Sequence, residues 1–544
     1  LSVNSGETKE FTVTLSNPNS RIARFNFYYI GALPDGVSAG YVTGDGFSTP
    51  PLATGVNLEA NGSVGASNVY KIRVTNNSGS NAIVTLGVQV GLDYNDLALP
   101  SNGHLFEEMS DPTVAEILLT GVGENGAINT TDKDQTFITG TDPNNYIWYS
   151  GKLWRAVSID TSDNSVKLVS QDNISTLSYN QDGDGTFVGS YIEMWLNDTT
   201  ESGFLANLRS PEKFLKMDSK WVSKRQTGVV PYPDSVSINP VGLLTAYEYT
   251  KGCGGKYSST CYLNNGLYSW ILSENTLTNA GVSSFLLNVN VGNDVYAMGV
   301  RPAINLKPTI TISSGTGTND DPYRLEGDND TNLSGTLLNT RFSGEYIRFG
   351  IGENNLYRIV SHENGGTKIT TDAPLKNNGA DLLMEFGDSS EFYFNAYGIS
   401  NTIHDFLNNT FYKSTLYLST DQKNMVQPTR LYIGTVGMHA NYLLAKYKDT
   451  SMSTEVYLGN FNVGLLRVGE LMAGQNTIND SFWLITPYQT NELWVYLDYT
   501  GFLSNSQSAN YQHKVKPTLT LKDNVVITDG VGIKSNPFVL TLNG

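Results

Sequence analysis

The residues best equipped for acid–base chemistry are two glutamates in matching settings. Glu248 and Glu470 each stand seven positions after the valine of a Val-Gly-Leu-Leu run, at 241–244 and 463–466. A carboxylate can act as a general acid or base, but that work needs a partner group at hydrogen-bond distance. The structural alternative pairs Glu248 with Arg301 and Glu470 with Lys516, because a buried charge is normally neutralised by an opposite one. The arrangement occurs twice with no nucleophile in view, which favours the ion-pair reading.

Other reactive side chains form no constellation. The five histidines (His104, His362, His404, His439 and His513) lack HxH or HExxH spacing, so no convergent metal-ligand set is expected. Neither a Gly-x-Ser-x-Gly elbow nor a Cys/His dyad occurs. The chain therefore reads as a non-enzyme that needs no cofactor. Asp182 and Asp184 lie in a short Asp-Gly-Asp-Gly loop, and Asp328 and Asp330 in a short Asp-Asn-Asp loop. Calcium takes six to eight oxygens, more than either loop supplies, so an Asx/Gly turn is the favoured reading. Cys253 and Cys261 bracket a Gly/Ser-rich loop with no histidine nearby. That suits a local disulfide in an exported chain better than a metal site, with free thiols as the alternative.

Tyr146, Trp148 and Tyr149, with Trp154 close behind, crowd one strand-like segment. Exposed aromatics beside amides can stack on sugars, which makes these three the candidates for glycan contact. Strand alternation more often divides such residues between a core and an interface.

The elements that must carry these groups are mostly strands. Only 16% of the 544 residues are charged, against ~25% in an average domain, and Gly, Tyr, Asn, Ser and Thr take their place. That mix belongs to secreted β proteins, with Thr and Tyr in strands and Asn and Gly in turns. With 35 Lys+Arg against 52 Asp+Glu and a net charge of −17, neither nucleic acid nor an anionic membrane surface is an expected partner. No apolar run reaches the ~18 residues of a membrane-spanning helix. Leu1 leads almost directly into a strand, and the chain reads as a mature or trimmed product.

Residues 1–105 alternate apolar and polar at 11–15, 69–74 and 82–90, between Gly/Asn/Ser/Pro turns, and predict an Ig-like β-sandwich. Its opening residues, Leu1, Val3, Phe11, Val13 and Leu15, are candidates for a strand donated to a neighbouring copy. Pairing of 1–15 within its own sandwich is the expected alternative. Residues 106–135 read as a connector with a short helix over 113–119, after the start signal Ser110-Asp111-Pro112 and before Gly121.

From about residue 136 the chain repeats itself. Tyr146, Arg155 and Val157 answer Tyr346, Arg358 and Val360. Ser190, Trp195 and Asn197 answer Asn401, Phe406 and Asn408, and Trp270 answers Trp483. Val300-Arg301-Pro302 matches Val515-Lys516-Pro517 without a gap, as do Gly315, Gly317 and Pro322 with Gly530, Gly532 and Pro537. The copies run 136–327 and 328–544. Each is an α+β module with an apolar helical stripe expected around 191–208 (Ile192, Trp195, Leu196). The fold class is mainly β: one sandwich, then two tandem α+β modules.

Residues 136–544 resemble a family of bacterial surface modules of unknown function. The first copy carries Ser190-x-Ile192-x-x-Trp195-Leu196-Asn197, Gly242-Leu-Leu-Thr245 with Glu248-Tyr249, Trp270 with Ser273, and Val300-Arg301-Pro302. The second copy supplies Phe411-Tyr412 and the Trp483…Pro487 run that the first lacks. The pattern also looks like that of C-type-lectin-like and sulfatase-modifying-factor-like domains, which implies a fold but no function. Together these features predict an extracellular, structural or adhesive bacterial surface protein, with a fibre or pilus subunit as its sharper form. Its partners would be further copies of itself, or host surface glycans and proteins. A carbohydrate-binding, lectin-like protein is the alternative.

Overall fold

A computed structural model describes residues 1–43, 47–50, 54–92, 95–109, 111–177, 179, 187–200, 203–223, 235–254, 260–267, 269–272, 280–282, 289–291, 298–328, 332–363, 365–389, 401–433, 456–467, 470, 481–488, 492–497 and 502–543. The protein is mainly β, with 41% of residues in strands against 13% in helices. It divides into two compact units, Leu1–Pro112 and Thr113–Gly544.

In the first unit two sheets share one core. Glu107–Glu108, Val37–Val42, Ser67–Asn76 and Glu7–Ser16 follow one another in the first sheet. The second centres on Ala23–Ile30, which pairs with Val56–Leu58, Thr85–Leu92 and Gly103–His104. Phe25 and Phe27 from one sheet meet Tyr70, Ile72 and Val74 from the other. The strand Glu7–Ser16 shows why alternation was legible. Phe11, Val13 and Leu15 lean on the core while Thr8, Glu10, Thr12 and Thr14 face solvent, the period-2 geometry of a half-buried strand.

The residues considered for donation are held within this unit. Glu7–Ser16 pairs residue for residue with Ser67–Asn76. Val3 is buried and pairs with Ala82, and the Leu1 nitrogen donates to the Val84 carbonyl at 2.7 Å.

The second unit opens on the helix Val114–Thr120. The Thr113 hydroxyl caps it by accepting the Glu116 N–H, and the Glu116 carboxylate accepts the Thr113 N–H, a reciprocal box that satisfies two orphan donors. The cap therefore falls one residue beyond Pro112. Two sheets of like order follow. In the first, Val241–Gly242, Ala303–Leu306, Val166–Ser170, Lys152–Asp160 and Tyr146–Tyr149 are successive neighbours. In the second the succession is Val463–Leu465, Pro517–Leu521, Gly366–Thr371, Leu356–Glu363 and Tyr346–Arg348. The registers agree: Val166 faces Leu306 as Thr367 faces Leu521, and Val241 faces Ile304 as Val463 faces Leu519. The strands Lys152–Asp160 and Leu356–Glu363 bulge at the same step, between Ala156 and Ser158 and between Ile359 and Ser361.

The helix expected over 191–208 is shorter, Tyr191–Asn197, and buries Tyr191, Ile192, Trp195 and Leu196. It stops because Asp198 turns extended and its carboxylate takes the Thr200 N–H, a local side-chain bond that competes with the helix. Asn197 at the helix end bonds both the N–H and the carbonyl of Val241, and Asn408 does the same to Val463. One apolar core runs from the first segment into the second, taking in Val360, Leu466, Phe482 and Leu484.

Candidate functional site

The two glutamates stand in matching ion pairs. Glu248 sits on the first turn of the helix Ala246–Gly252. Its Oε2 accepts the Thr245 N–H at 2.8 Å and the Thr245 hydroxyl accepts the Glu248 N–H at 3.1 Å. Its Oε1 meets the Lys167 ammonium, which also lies over the Trp221 ring. Glu470 repeats the arrangement: Oε2 accepts the Arg467 N–H at 2.8 Å and Oε1 takes Lys368 Nζ at 2.6 Å, with the Arg467 guanidinium at 3.3 Å. Burial alone would raise the Glu470 pKa, but the Lys368 and Arg467 charges outweigh it and hold the carboxyl below its ordinary value.

The expected pairs, Glu248 with Arg301 and Glu470 with Lys516, are thus replaced by Glu248 with Lys167 and Glu470 with Lys368. Arg301 instead donates to the carbonyls of Ser170 (3.0 Å) and Leu263 (2.6 Å), and Lys516 to that of Asp372 (2.8 Å). Both cations close strand ends. The lysines come from the neighbouring strands Val166–Ser170 and Gly366–Thr371, a register that residue spacing does not reveal.

Cys253 and Cys261 are disulfide-bonded, with Cα atoms 5.3 Å apart, and Cys253 caps the helix Ala246–Gly252. Asp182, Asp184, Asp330 and His439 lie outside the described residues. Asp328 is buried and paired with Arg209. Among the described residues no three His, Cys, Asp or Glu side chains could hold a metal ion. His104 stacks on Tyr29 and His404 packs edge-on against Phe461. His513 lies edge-on to Trp483 at 4.6 Å, with Nδ1 3.1 Å from the Ser481 hydroxyl. Burial pushes its pKa down to about 4.

The three candidate stacking aromatics are buried, so they form no exposed platform. Tyr149 is 0% exposed; its ring packs on Phe214 and its hydroxyl donates to the Arg209 carbonyl at 2.6 Å. Tyr146 lies under the Arg155 guanidinium at 3.5 Å, just as Tyr346 lies under Arg358 at 4.6 Å. Trp148, at 2% exposed, lines a cavity.

A two-residue turn follows Tyr149. Ser150 (φ 53°) and Gly151 (φ 73°) link Tyr146–Tyr149 to Lys152–Asp160, both in the left-handed region that tight hairpins require. The turn presses into residues 343–345 so closely that a Cβ on Gly151 would lie 2.4 Å from the Ser343 carbonyl. Lys152, next in the chain, donates from Nζ to the Ser150 carbonyl and to the Ser343 carbonyl and hydroxyl, each at 3.2 Å. Burial pushes its pKa down to about 7, and the charge of Arg358 adds to the effect.

Beside this contact the Trp148 and Tyr346 rings stand 6.2 Å apart at the wall of a cavity of about 220 Å³. Segment 136–327 contributes Asp172, Gln171 and Ile174 to the wall, and segment 328–544 contributes Arg358, Ile533 and Lys534. Trp148 Nε1 is buried with no hydrogen-bond acceptor among the described residues. Burial raises the Asp172 carboxyl, and Asp372 adds to this against the charges of Arg358, Arg301 and Lys534. Sequence reasoning missed Asp172, Tyr346 and Arg358. The last two carried a signal, since they answer Tyr146 and Arg155 in the repeat; Asp172 carried none.

Comparison with protein families, with curated proteins and with solved structures finds no match for this chain.

Proposed function

We propose that this chain is an extracellular, non-catalytic protein of a bacterial surface, structural or adhesive in role and built from a sandwich followed by two copies of one α+β module. The observation that carries the reading is the shared fate of Glu248 and Glu470. These were the residues with most claim to catalysis, yet in each one oxygen is taken by a backbone N–H and the other by a lysine. Matching sheet orders in segments 136–327 and 328–544 support the duplication. In the sharper form of the proposal, copies of the chain assemble into a fibre or pilus. Donation of residues 1–16 to a neighbour would then require release of their pairing with Ser67–Asn76.

Light scattering and negative-stain microscopy of the purified chain test the proposal, together with retention on host-cell surfaces. Ordered polymers are the expected result for a fibre subunit, and a monomer that adheres is expected for a display protein. A chain that stays monomeric at high concentration and binds no cell surface overturns both forms.

Carbohydrate binding is the second reading. Burial of Tyr149 and Trp148 argues against an exposed platform, and the support for sugar binding comes instead from the cavity that Trp148 lines.

A further inference from the structure

We infer that the strand Thr85–Leu92 is a self-association edge, on which a second copy of this chain seats the same strand antiparallel about a two-fold axis at Gln89. Such a contact closes on two copies, so the inference goes beyond the fibre reading and does not rest on it.

The strand lies at the rim of its sheet. It pairs with Ala23–Ile30 on one side, and among the described residues no strand pairs with its other side. Leu1 bonds Val84 just ahead of it, so the open rim starts at Thr85. A rim strand presents N–H and C=O groups that can template another chain, and proteins guard such strands with charge, proline or short length. The rim strand of the first sheet, Glu7–Ser16, carries Glu7, Lys9 and Glu10. Val56–Leu58 and Gly103–His104 are three and two residues long. Thr85–Leu92 has eight residues, with no charge and no proline.

Its core-side face reaches past the core. Leu86, Val88 and Val90 stand opposite Tyr29, Phe27 and Phe25, and directly opposed residues share a face. Phe27 and Phe25 are 1% and 2% exposed, whereas Val88 and Val90 are 46% and 68% exposed. The glycines of the other face are accounted for within the copy. A Cβ on Gly87 would lie 2.4 Å from the Tyr28 ring, and one on Gly91 would lie 2.7 Å from Leu97. Packing among the described residues gives no such account of the two valines.

Residue order selects the partner. Leu86-Gly-Val-Gln-Val-Gly-Leu92 reads the same in both directions. Antiparallel pairing about Gln89 therefore sets Leu86 opposite Leu92, Gly87 opposite Gly91, Val88 opposite Val90 and Gln89 opposite itself. The axis stands perpendicular to the sheet, so the core-side faces of the two copies adjoin and the valines meet as cross-strand pairs. No like charges face each other in this register, although each chain carries a net charge of −17. One strand per copy makes a small interface, so the pair forms and separates with concentration.

The test is sedimentation velocity of the full chain over a concentration series, with variants that probe the edge and its register. Wild type should move from monomer to dimer as concentration rises. Val90→Lys places a charge on the rim at an exposed position and should weaken the dimer at least tenfold, with an unchanged circular dichroism spectrum. Gln89→Cys reads the register independently of that variant. Cys253 and Cys261 are bonded to each other, so the new thiol has only its own copy to pair with. It should form a disulfide-linked dimer under mild oxidation. Thr85→Cys should not, because its two copies would lie roughly 27 Å apart in this register. A wild type that stays monomeric throughout overturns the inference. So does a dimer that Val90→Lys leaves within twofold of wild type, or crosslinking of Gln89→Cys that is absent or no greater than that of Thr85→Cys. Ordered polymers that persist in Val90→Lys without Gln89→Cys crosslinking would overturn this edge and leave the fibre reading standing.

Discussion

Lys368 Nζ lies 2.6 Å from the Oε1 of Glu470, a carboxylate with no solvent exposure, in a pairing that spans 102 residues of sequence. Lys167 and Glu248 hold the same relation in the preceding segment. Each pair ties the central strand of a sheet to the chain that follows a Val-Gly-Leu-Leu run. The glutamate also collects the backbone N–H of the residue three before it.

Breaking such a pair from one side strands a charge. Lys368→Met should destabilise the second unit by about 3 kcal/mol, the lower end of the range for breaking a buried pair, because Arg467 at 3.3 Å retains part of the compensation. Urea unfolding would measure it, and a loss below about 1 kcal/mol would mean that the pair does not hold the strand. The pH dependence has a definite sign. The folded pKa of Glu470 is lowered, so its stabilising contribution is present above the unfolded value near 4.5 and is lost as pH falls through the folded one. Glu470→Gln should flatten that acid limb.

Gly151→Ala should cost more than an ordinary loop substitution. A left-handed residue that is not glycine carries roughly 1 kcal/mol of strain, and here the new Cβ would also meet the Ser343 carbonyl at 2.4 Å. Gly379→Ala is the control. It has the same sign of φ (+82°) and nothing within 4 Å of its Cβ, so it reports the conformational part alone. The difference in unfolding free energy between the two variants measures the docking of the 150–151 turn against residues 343–345. Equal losses would show that this contact contributes nothing.

Removing the disulfide should have a modest effect. Cys253 and Cys261 are separated by eight positions, and chain-entropy arguments assign a loop of that size about 2.5 kcal/mol. The Cys253→Ser/Cys261→Ser double variant should therefore remain folded with a lower denaturation midpoint. Complete unfolding of the variant would make the bridge a foundation of the fold instead of a clip on one loop.

His513 should make stability fall with acid in a window distinct from that of the carboxylates. Its folded pKa of about 4 lies below the unfolded value of 6.5, so the unfolded chain binds the extra proton first. Stability is fully present above pH 6.5 and declines as pH falls toward 4. The described groups against the ring include the Ser481 hydroxyl and the Trp483 indole. His513→Gln should reduce the slope of unfolding free energy between pH 6.5 and 5. An unchanged slope would show that other groups carry the acid sensitivity there.

What was legible in the sequence was local or periodic. Alternation at 11–15 marked the strand Glu7–Ser16 because one face of that strand leans on a core. Gly121 marked the end of the short helix, and the apolar triad Ile192, Trp195 and Leu196 marked a buried helix face, although the helix is only seven residues long. The length was misjudged because Asp198 bonds its own backbone neighbour, a competition that apolar spacing does not register.

Residue types and spacing by themselves determined the strand-rich class, the helix stop at Gly121, the paired cysteines and the correspondence of positions in 136–327 with those in 328–544. All of these depend on interactions within a few residues or on repetition along the chain. Tertiary structure alone decided that Glu248 meets Lys167 and not Arg301, that Trp148 is enclosed, and that Asp172, Tyr346 and Arg358 border one cavity. Those outcomes depend on strand register and on how two sheets seat against each other. Contacts between residues 81 to 102 positions apart are set by that packing and leave no mark in local sequence.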